Sequence, residues 1–301
     1  MTKQTAYQLN PSIIAQQYID IVNRQTTSIT KPINVVGLIA SQDKPSFAYA
    51  RATQKKFEAN GIHYQLRNVE RLELENQILS LNSDSDVHGI FIYFPVFNNQ
   101  QDDYLRNLVD FSKDIEAGSN YWTRKLYAND RLALTSDPTK KALLPCTPLA
   151  IVKMLSEIDI YNKDIQRPIE GKIVTIFNRS EVIGRPLAMM MSNDGGIVYS
   201  FDENGPLKFE NAQPSEIDIS RAEALSQSSI IITGVPNKNF KKISAAEIQP
   251  DTICINFSSS NNFAADISAH THFYIPRIGP MTVAMCMRNT LRLFNIFHQA
   301  T

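Results

Sequence analysis

Residues 171–202, GKIVTIFNRSEVIGRPLAMMMSNDGGIVYSFD, constrain the fold more than any other stretch. Lys172–Phe177 is a short, apolar, β-branched run, the pattern of a buried parallel strand. Asn178–Gly184 then forms a polar turn, and Val182–Ser192 carries the helix formers Leu, Ala and Met. Gly195-Gly196 ends that helix, Ile197–Phe201 reads as a second strand, and Asp202 stands at its tip. These are the parts of a dinucleotide-binding βαβ unit. The helix N-terminus would meet a pyrophosphate, and the acid, about 20 residues beyond the turn, would meet an adenosine ribose. The full glycine fingerprint is absent, since the turn holds only Gly184. The pattern alone therefore allows a dinucleotide site or an ordinary βαβ layer whose acid faces solvent.

With 301 residues the chain can form two domains of ordinary size. Its 43% apolar content fits a filled core. Lys+Arg and Asp+Glu number 30 each, so the balance gives no electrostatic case for nucleic acid or an acidic membrane. The three cysteines, Cys146, Cys254 and Cys286, lack metal-ligand spacing, and no metal site is expected. Cys254 and Cys286 sit in apolar runs as small core residues, whereas Cys146 is read as outside any strand or helix. No run approaches the ~18 apolar residues of a membrane span. The N-terminus lacks the pattern of a secretory or transit peptide, which makes the cytosol the expected location.

Asn10-Pro11 opens an amphipathic helix over 11–24, with the cap residue followed by a first-turn proline. Strand–helix alternation follows: strand Ile33–Ala40, a turn at 41–45, helix Ser46–Asn60 stopped by Gly61, strand Ile62–Val69, helix Leu72–Leu81 and strand Val87–Phe94. That alternation predicts a parallel sheet covered by helices. Residues 98–143 read as irregular with one helix at Asp102–Val109, and a helix starts at Thr147-Pro148. The domain change falls between Pro145 and Glu170. Beyond the βαβ unit, Glu203–Ser226 reads as a polar insertion. Strands are expected at Ser229–Thr233, Thr252–Phe257 and Phe273–Ile275, and a last helix at Met281–Phe297.

Ligands of such sheets lie beyond the carboxyl ends of the strands. Four stretches fall there: 41–49, 93–98, 178–184 and 233–237. Tyr49 and Thr53 are four apart on one helix and so share a face, either as packing residues or as part of a site. His63, His88, His270, His272 and His298 fall at strand starts or polar edges, with no Cys–His or Ser–His arrangement for nucleophilic chemistry.

Several motifs in order resemble the methylenetetrahydrofolate dehydrogenases, many of which are also cyclohydrolases. They are N-R-S-E-V-I-G-R-P (178–186), L-P-C-T-P (144–148) and G-P-M-T-V-A (279–284), with variants Y-x-x-x-T (49–53), G-I-F-I-Y-F-P (89–95) and K-D-I-E (113–116). The resemblance spans Ile13 to Phe297, and the departures most resemble the monofunctional NAD-dependent branch of yeasts. It implies an α/β protein of two domains: 1–148 for folate and catalysis, 149–280 as a Rossmann-like NAD domain, and 281–301 as a helix returning to the first. It also implies a homodimer.

The resemblance assigns Tyr49 and Cys146 to the catalytic cleft, with Tyr49, Thr53, Tyr93, Glu116 and Pro280 contacting folate. Thr53 stands where cyclohydrolases carry a lysine, Tyr93 replaces a glutamine, Glu116 replaces the aspartate that receives the pterin, and Ala117 replaces a glycine. Cys146 is either a structural thiol or a cleft contact. For the cofactor it implies Arg179, Ser180, Gly184, Phe201 and Asp202, the loop Gly234-Val235-Pro236, the strand end Asn256-Phe257-Ser258, and Gly279 and Thr282 on the nicotinamide side. Asp202-Glu203 would repel a 2′-phosphate, which points to NAD.

Three functions follow. The leading one oxidises 5,10-methylenetetrahydrofolate by hydride transfer to NAD in one-carbon metabolism, without significant cyclohydrolase activity. The alternatives are a bifunctional dehydrogenase/cyclohydrolase, with Lys56 replacing the missing lysine, and a binding paralogue with little catalysis.

Overall fold

The structure, a computed structural model, describes residues 10–41, 43–161, 165–271 and 273–299. Gln42 of the expected 41–45 turn, residues 162–164 of the connector and His272 lie outside the described residues. The chain divides into two compact units. One is built on Ala15–Cys146 with the chain from Val283 onward, and the other on Thr147–Thr282 with the stretch up to Ile14.

Helix α1 (Pro11–Thr26) starts at the expected cap, with the Asn10 side chain accepting the Ser12 N–H at 3.0 Å. In the first unit β1 (Ile33–Ile39), β2 (Ile62–Asn68) and β3 (Gly89–Ile92) form a parallel sheet in the order β2-β1-β3. Helix α2 (Lys44–Glu58) links β1 to β2 and α3 (Leu74–Ser83) links β2 to β3. Helix α2 starts two residues before Ser46 because Asp43 caps it, accepting the Ser46 N–H at 2.8 Å, with Pro45 in the first turn. Val36, Leu38, Ile90 and Ile92 of the sheet pack with Leu74, Ile78 and Leu81 of α3 into one core.

Helix α4 (Gln100–Leu108) is the one expected near Asp102. The rest of 98–143 is more regular than expected. Helix α5 (Asn120–Tyr127) follows, then an antiparallel hairpin of β4 (Leu132–Leu134) and β5 (Asp137–Lys141). Helix α5 is only eight residues long, too short for its one buried pair, Trp122 and Leu126, to stand out, and β5 reads Asp-Pro-Thr-Lys-Lys, with no apolar alternation.

Helix α6 (Cys146–Ser156) starts on the last residue of the first unit's main segment and otherwise belongs to the second unit, with β6 (Ile173–Phe177), α7 (Gly184–Asn193) and β7 (Ile197–Asp202). Cys146 is thus the first residue of a helix and is buried, contrary to its expected place outside one. The expected polar insertion is instead folded. Strands β8 (Gly205–Glu210) and β9 (Gln213–Glu216) extend the sheet antiparallel from β7, and α8 (Arg221–Gln227) follows. All four residues of β9 are exposed, which is why the sequence there is polar. Strands β10 (Ile230–Thr233), β11 (Ile253–Asn256) and β12 (Phe273–Ile275) complete the order β12-β11-β10-β6-β7-β8-β9. The chain leaves β6 first on the β7 side and returns on the β10 side, so β6/β10 is the switch point where such sheets open a crevice.

Helix α9 (Gly279–Leu293) continues into a π-helical turn at Phe294–His298. It starts two residues before Met281. Gly279 and Pro280, expected to precede the helix, therefore lie in its first turn, where proline is at home because it has no N–H to satisfy. From Val283 its residues group with the first unit, the expected return.

Candidate active site

In the first unit the chain leaves β1 toward β2 on one side and comes back at β3 on the other, so β1/β3 is its own switch point. Tyr49 and Thr53 follow the end of β1, on α2, and Tyr93 follows the end of β3. The Tyr49 and Tyr93 rings meet edge to face with centroids 6.0 Å apart. Tyr49 remains 41% exposed, while Tyr93 and Thr53 are buried. The Thr53 hydroxyl donates to the Tyr49 carbonyl one turn back, at 3.0 Å.

Tyr93 is held from below by Tyr64, their hydroxyls sharing a 2.7 Å hydrogen bond. Burial pushes Tyr93 up to about 12, so it stays a neutral phenol. Gly37 on β1 makes the arrangement possible. A Cβ there would stand 2.2 Å from the Tyr64 hydroxyl. Neither Tyr64 nor Gly37 was singled out from the sequence. The signal was available only as a glycine inside an otherwise branched strand, a mark of close approach.

Glu116 follows Asp114, whose carboxylate accepts the Ser119 N–H at 2.8 Å. Burial and then the Asp114 charge push Glu116 up to about 8, with Arg106 opposing the rise. In the free pocket the acid therefore carries its proton at neutral pH, rather than being the carboxylate expected from the motif. Burial also pushes the Cys146 thiol well up, which makes it a thiol and a poor nucleophile. Tyr49 lies within the electrostatic reach of Cys286, Glu116, Tyr93 and Cys146, and burial first, then these groups, raise its hydroxyl. The unit thus brings Tyr49, Thr53, Tyr93, Glu116 and Cys146 into one neighbourhood, its phenols and thiol held neutral.

His88 stands at a strand start, immediately before β3, and is fully buried; its Nδ1 accepts the Asn34 N–H at 3.0 Å, and burial followed by His298 lowers it to about 4. Cys254 and Cys286 are core residues, as expected.

The second unit places Asn178, Arg179 and Ser180 at the end of β6 and Gly234-Val235-Pro236 at the end of β10, on the two sides of its switch point. Asn178, which sequence reading passed over, organises the turn. Its Oδ1 accepts from the Ser180 N–H (3.0 Å) and hydroxyl (2.7 Å), and its Nδ2 donates to the Gly234 carbonyl at 2.9 Å. Gly184 begins α7 so close to that turn that a Cβ would lie 1.9 Å from the Asn178 carbonyl oxygen. A Cβ added at Gly234 would likewise fall 1.8 Å from the Phe257 ring, so the backbone there runs directly against it. These contacts bring bare backbone and a helix N-terminus to the mouth of the crevice, the cradle a pyrophosphate needs.

Arg179 donates through Nε to Asp202 at 2.9 Å and pairs its Nη2 with the second carboxylate oxygen. The same guanidinium donates to the Ser200 and Gly205 carbonyls at 3.0 and 2.9 Å. Asp202 also accepts the Asn204 N–H at 2.8 Å. A carboxylate has about four acceptor positions, so room remains for a ribose hydroxyl.

Other candidates are positioned differently from expectation. The Asn256 amide is spent inside the protein, accepting from Thr233 (3.1 Å) and donating to the Ser258 and Pro276 carbonyls (2.9 and 3.1 Å). The Ser258 hydroxyl donates to the Val235 carbonyl at 3.1 Å, and Asn262, also missed, holds the same loop through the Val235 N–H and carbonyl at 2.9 Å each. Phe201 stacks on Phe177 at 5.1 Å. Gly279, Pro280 and Thr282 form the start of α9.

Comparison with known proteins agrees with this arrangement. The catalytic domain of tetrahydrofolate dehydrogenase/cyclohydrolase matches residues 9–116, and its NAD(P)-binding domain matches residues 145–298. A methylenetetrahydrofolate dehydrogenase [NAD(+)] of Dictyostelium discoideum is 41% identical over 290 residues, covering 94% of this chain and 92% of the relative. A bifunctional FolD protein of Ligilactobacillus salivarius is 27% identical over 277 residues, covering 86% and 85%. The solved NAD-dependent 5,10-methylenetetrahydrofolate dehydrogenase of Saccharomyces cerevisiae superposes with a TM-score of 0.92 at 35% identity, covering 97% of this chain and 98% of that one.

Proposed function

The chain belongs to the tetrahydrofolate dehydrogenase/cyclohydrolase family, and from that premise we propose a monofunctional enzyme that releases methenyltetrahydrofolate without hydrolysing it. The dehydrogenase reaction itself is the oxidation of 5,10-methylenetetrahydrofolate with NAD. Bound NAD supplies the hydride acceptor. The methylene carbon loses a hydride, and the cation that remains is shared by the two flanking nitrogens. No proton leaves that carbon, so no general base is required. The protein's task is alignment and exclusion of water. A group of neutral phenols beside a protonated acid suits that task.

In this reading Tyr49 and Tyr93 line the folate side and Glu116 receives the pterin N–H donors. Those donors favour the ionised acid, so folate binding draws Glu116 below its unliganded value of about 8 and releases a proton. Asn178, Ser180, Gly184 and the 234–236 loop would hold the dinucleotide, and Asp202 its ribose. Residues 1–148, 149–280 and 281–301 take the folate, NAD and returning-helix roles. The enzyme works as a homodimer in the cytosol, in keeping with the family resemblance and with the absence, among the described residues, of a helix long and apolar enough to cross a membrane.

Thr53 carries the monofunctional reading. Its short hydroxyl is bonded to its own helix and has no charge with which to activate water. Lys56, the nearest substitute on that stripe, instead donates to the Gln16 side chain at 2.9 Å. The test is enzyme-dependent decay of methenyltetrahydrofolate absorbance above the buffer rate. None is expected, whereas decay abolished in Lys56→Ala would assign a hydrolytic role to Lys56.

A further inference from the structure

We propose that Asn289, on the last helix, is the positioning residue that holds Glu116 against its folate ligand. The proposal rests on the reading of Glu116 as the pterin acceptor. Asn289 is fully buried. Its Nδ2 donates to the carbonyls of Ile115 and Leu144, both at 3.0 Å, and lies 3.3 Å from Cys146 Sγ. Two carbonyl acceptors around one atom fix that atom as the amide nitrogen. The Cys146 thiol donates to the same Ile115 oxygen at 3.3 Å. The peptide carbonyl immediately before Glu116 is therefore gripped twice, by residues far away in sequence.

The other side of Glu116 is clamped as well. Asp114 holds the Ser119 N–H, and the Ile90 N–H donates to the Lys113 carbonyl at 2.7 Å, joining the segment to β3. Between the clamps, buried Ala117 adopts φ +52°, a left-handed conformation that a non-glycine residue holds only when its surroundings impose it. Release of the Ile115 carbonyl removes one of those constraints and lets the Glu116 side chain leave its aim. This gives Cys146 a place too. It supports the backbone behind Glu116 rather than attacking the substrate, in keeping with its raised thiol.

The experiment uses the full-length enzyme with Asn289→Leu, similar in volume but without donors, and Cys146→Ala, which removes only the second donor. KM and kcat are measured for methylenetetrahydrofolate and for NAD⁺, together with the pH dependence of the folate KM. Loss of a bond to a carbonyl that stays buried should raise the folate KM ~10-fold in Asn289→Leu and ~3-fold in Cys146→Ala. The NAD⁺ KM should stay within about twofold, and the pH midpoint of the folate KM should move, which packing loss alone would not produce. Equal losses for both substrates, or an unchanged folate KM and pH midpoint, would overturn the proposal. If Asn289→Leu does not fold, Cys146→Ala decides by the same criteria. Glu116→Gln separates the two levels. An unchanged folate KM there overturns the acceptor reading and the anchor's purpose with it. A raised KM there with none in the anchor variants overturns the anchor alone.

Discussion

The two candidate sites, one in each unit, are built on opposite principles. The dinucleotide half is local and highly polar: Asn178, Arg179, Ser180, Gly184 and Asp202 lie within one βαβ unit and hold one another through hydrogen bonds and an ion pair. The proposed folate site is assembled from residues 37, 49, 53, 64, 93, 116, 146 and 289, and it is mostly neutral. A dinucleotide brings its own charge, so its site needs fixed backbone donors and an acid of known position. Hydride abstraction leaves a delocalised cation and moves no proton, so its pocket works through shape and buried groups held near neutrality.

The steric end of that contrast should give the largest effect. Gly184→Ala sets a methyl against the Asn178 carbonyl and forces the turn or α7 to move. Turnover with NAD⁺ should fall ~100-fold, about 3 kcal/mol. Steady-state assays at saturating folate measure it, and a loss of less than tenfold would show that the turn is more plastic than its contacts imply.

Charge comes next. Replacing Asp202 and Glu203 together by Ser removes two carboxylates and releases the Arg179 guanidinium from its ion pair. The NADP⁺-to-NAD⁺ ratio of kcat/KM should rise ~30-fold, roughly 2 kcal/mol. A ratio that does not change would place the determinant of NAD preference elsewhere.

The smallest effect concerns protons on the folate side. Glu116 binds its proton more tightly folded (about 8) than unfolded, so the native state holds the extra proton between the two values. Its stabilisation is complete below the unfolded value and is lost as pH rises through about 8. His88 has the opposite sense at the acid end: it is neutral when folded, and stability falls as pH drops from 6.5 toward about 4. Ligand-free Glu116→Gln should therefore melt ~2–4 °C above the parent at pH 9 and show no such gain at pH 4, below the unfolded value, where the acid is protonated in both states. A gain of equal size at both pH values would mean that proton binding is not its cause.

Most strands and helices were legible because their apolar runs have a period. Strands β5, β8 and β9 were not, since little of their surface is buried and pairing with a neighbour, not burial, defines them; helix α5 was not, because it is only eight residues long. The same division runs through the site. Tyr49, Tyr93, Glu116 and Asp202 sit in motifs or at strand ends. Tyr64, Asn262 and Asn289 carry no local signal, because each acts on a residue distant in the chain.

The sequence by itself determined the strand–helix alternation of two α/β domains and the residues at the strand ends, because hydrophobic period and glycine placement are properties of short segments. Only the tertiary structure decided how those residues are held. Arg179 is bound to Asp202, Thr53 is turned back on its own helix, and the Glu116 backbone is fastened by the last helix. Each of these depends on which donor finds which acceptor. That choice, like the burial that keeps Glu116 protonated, exists only once the chain has closed around it.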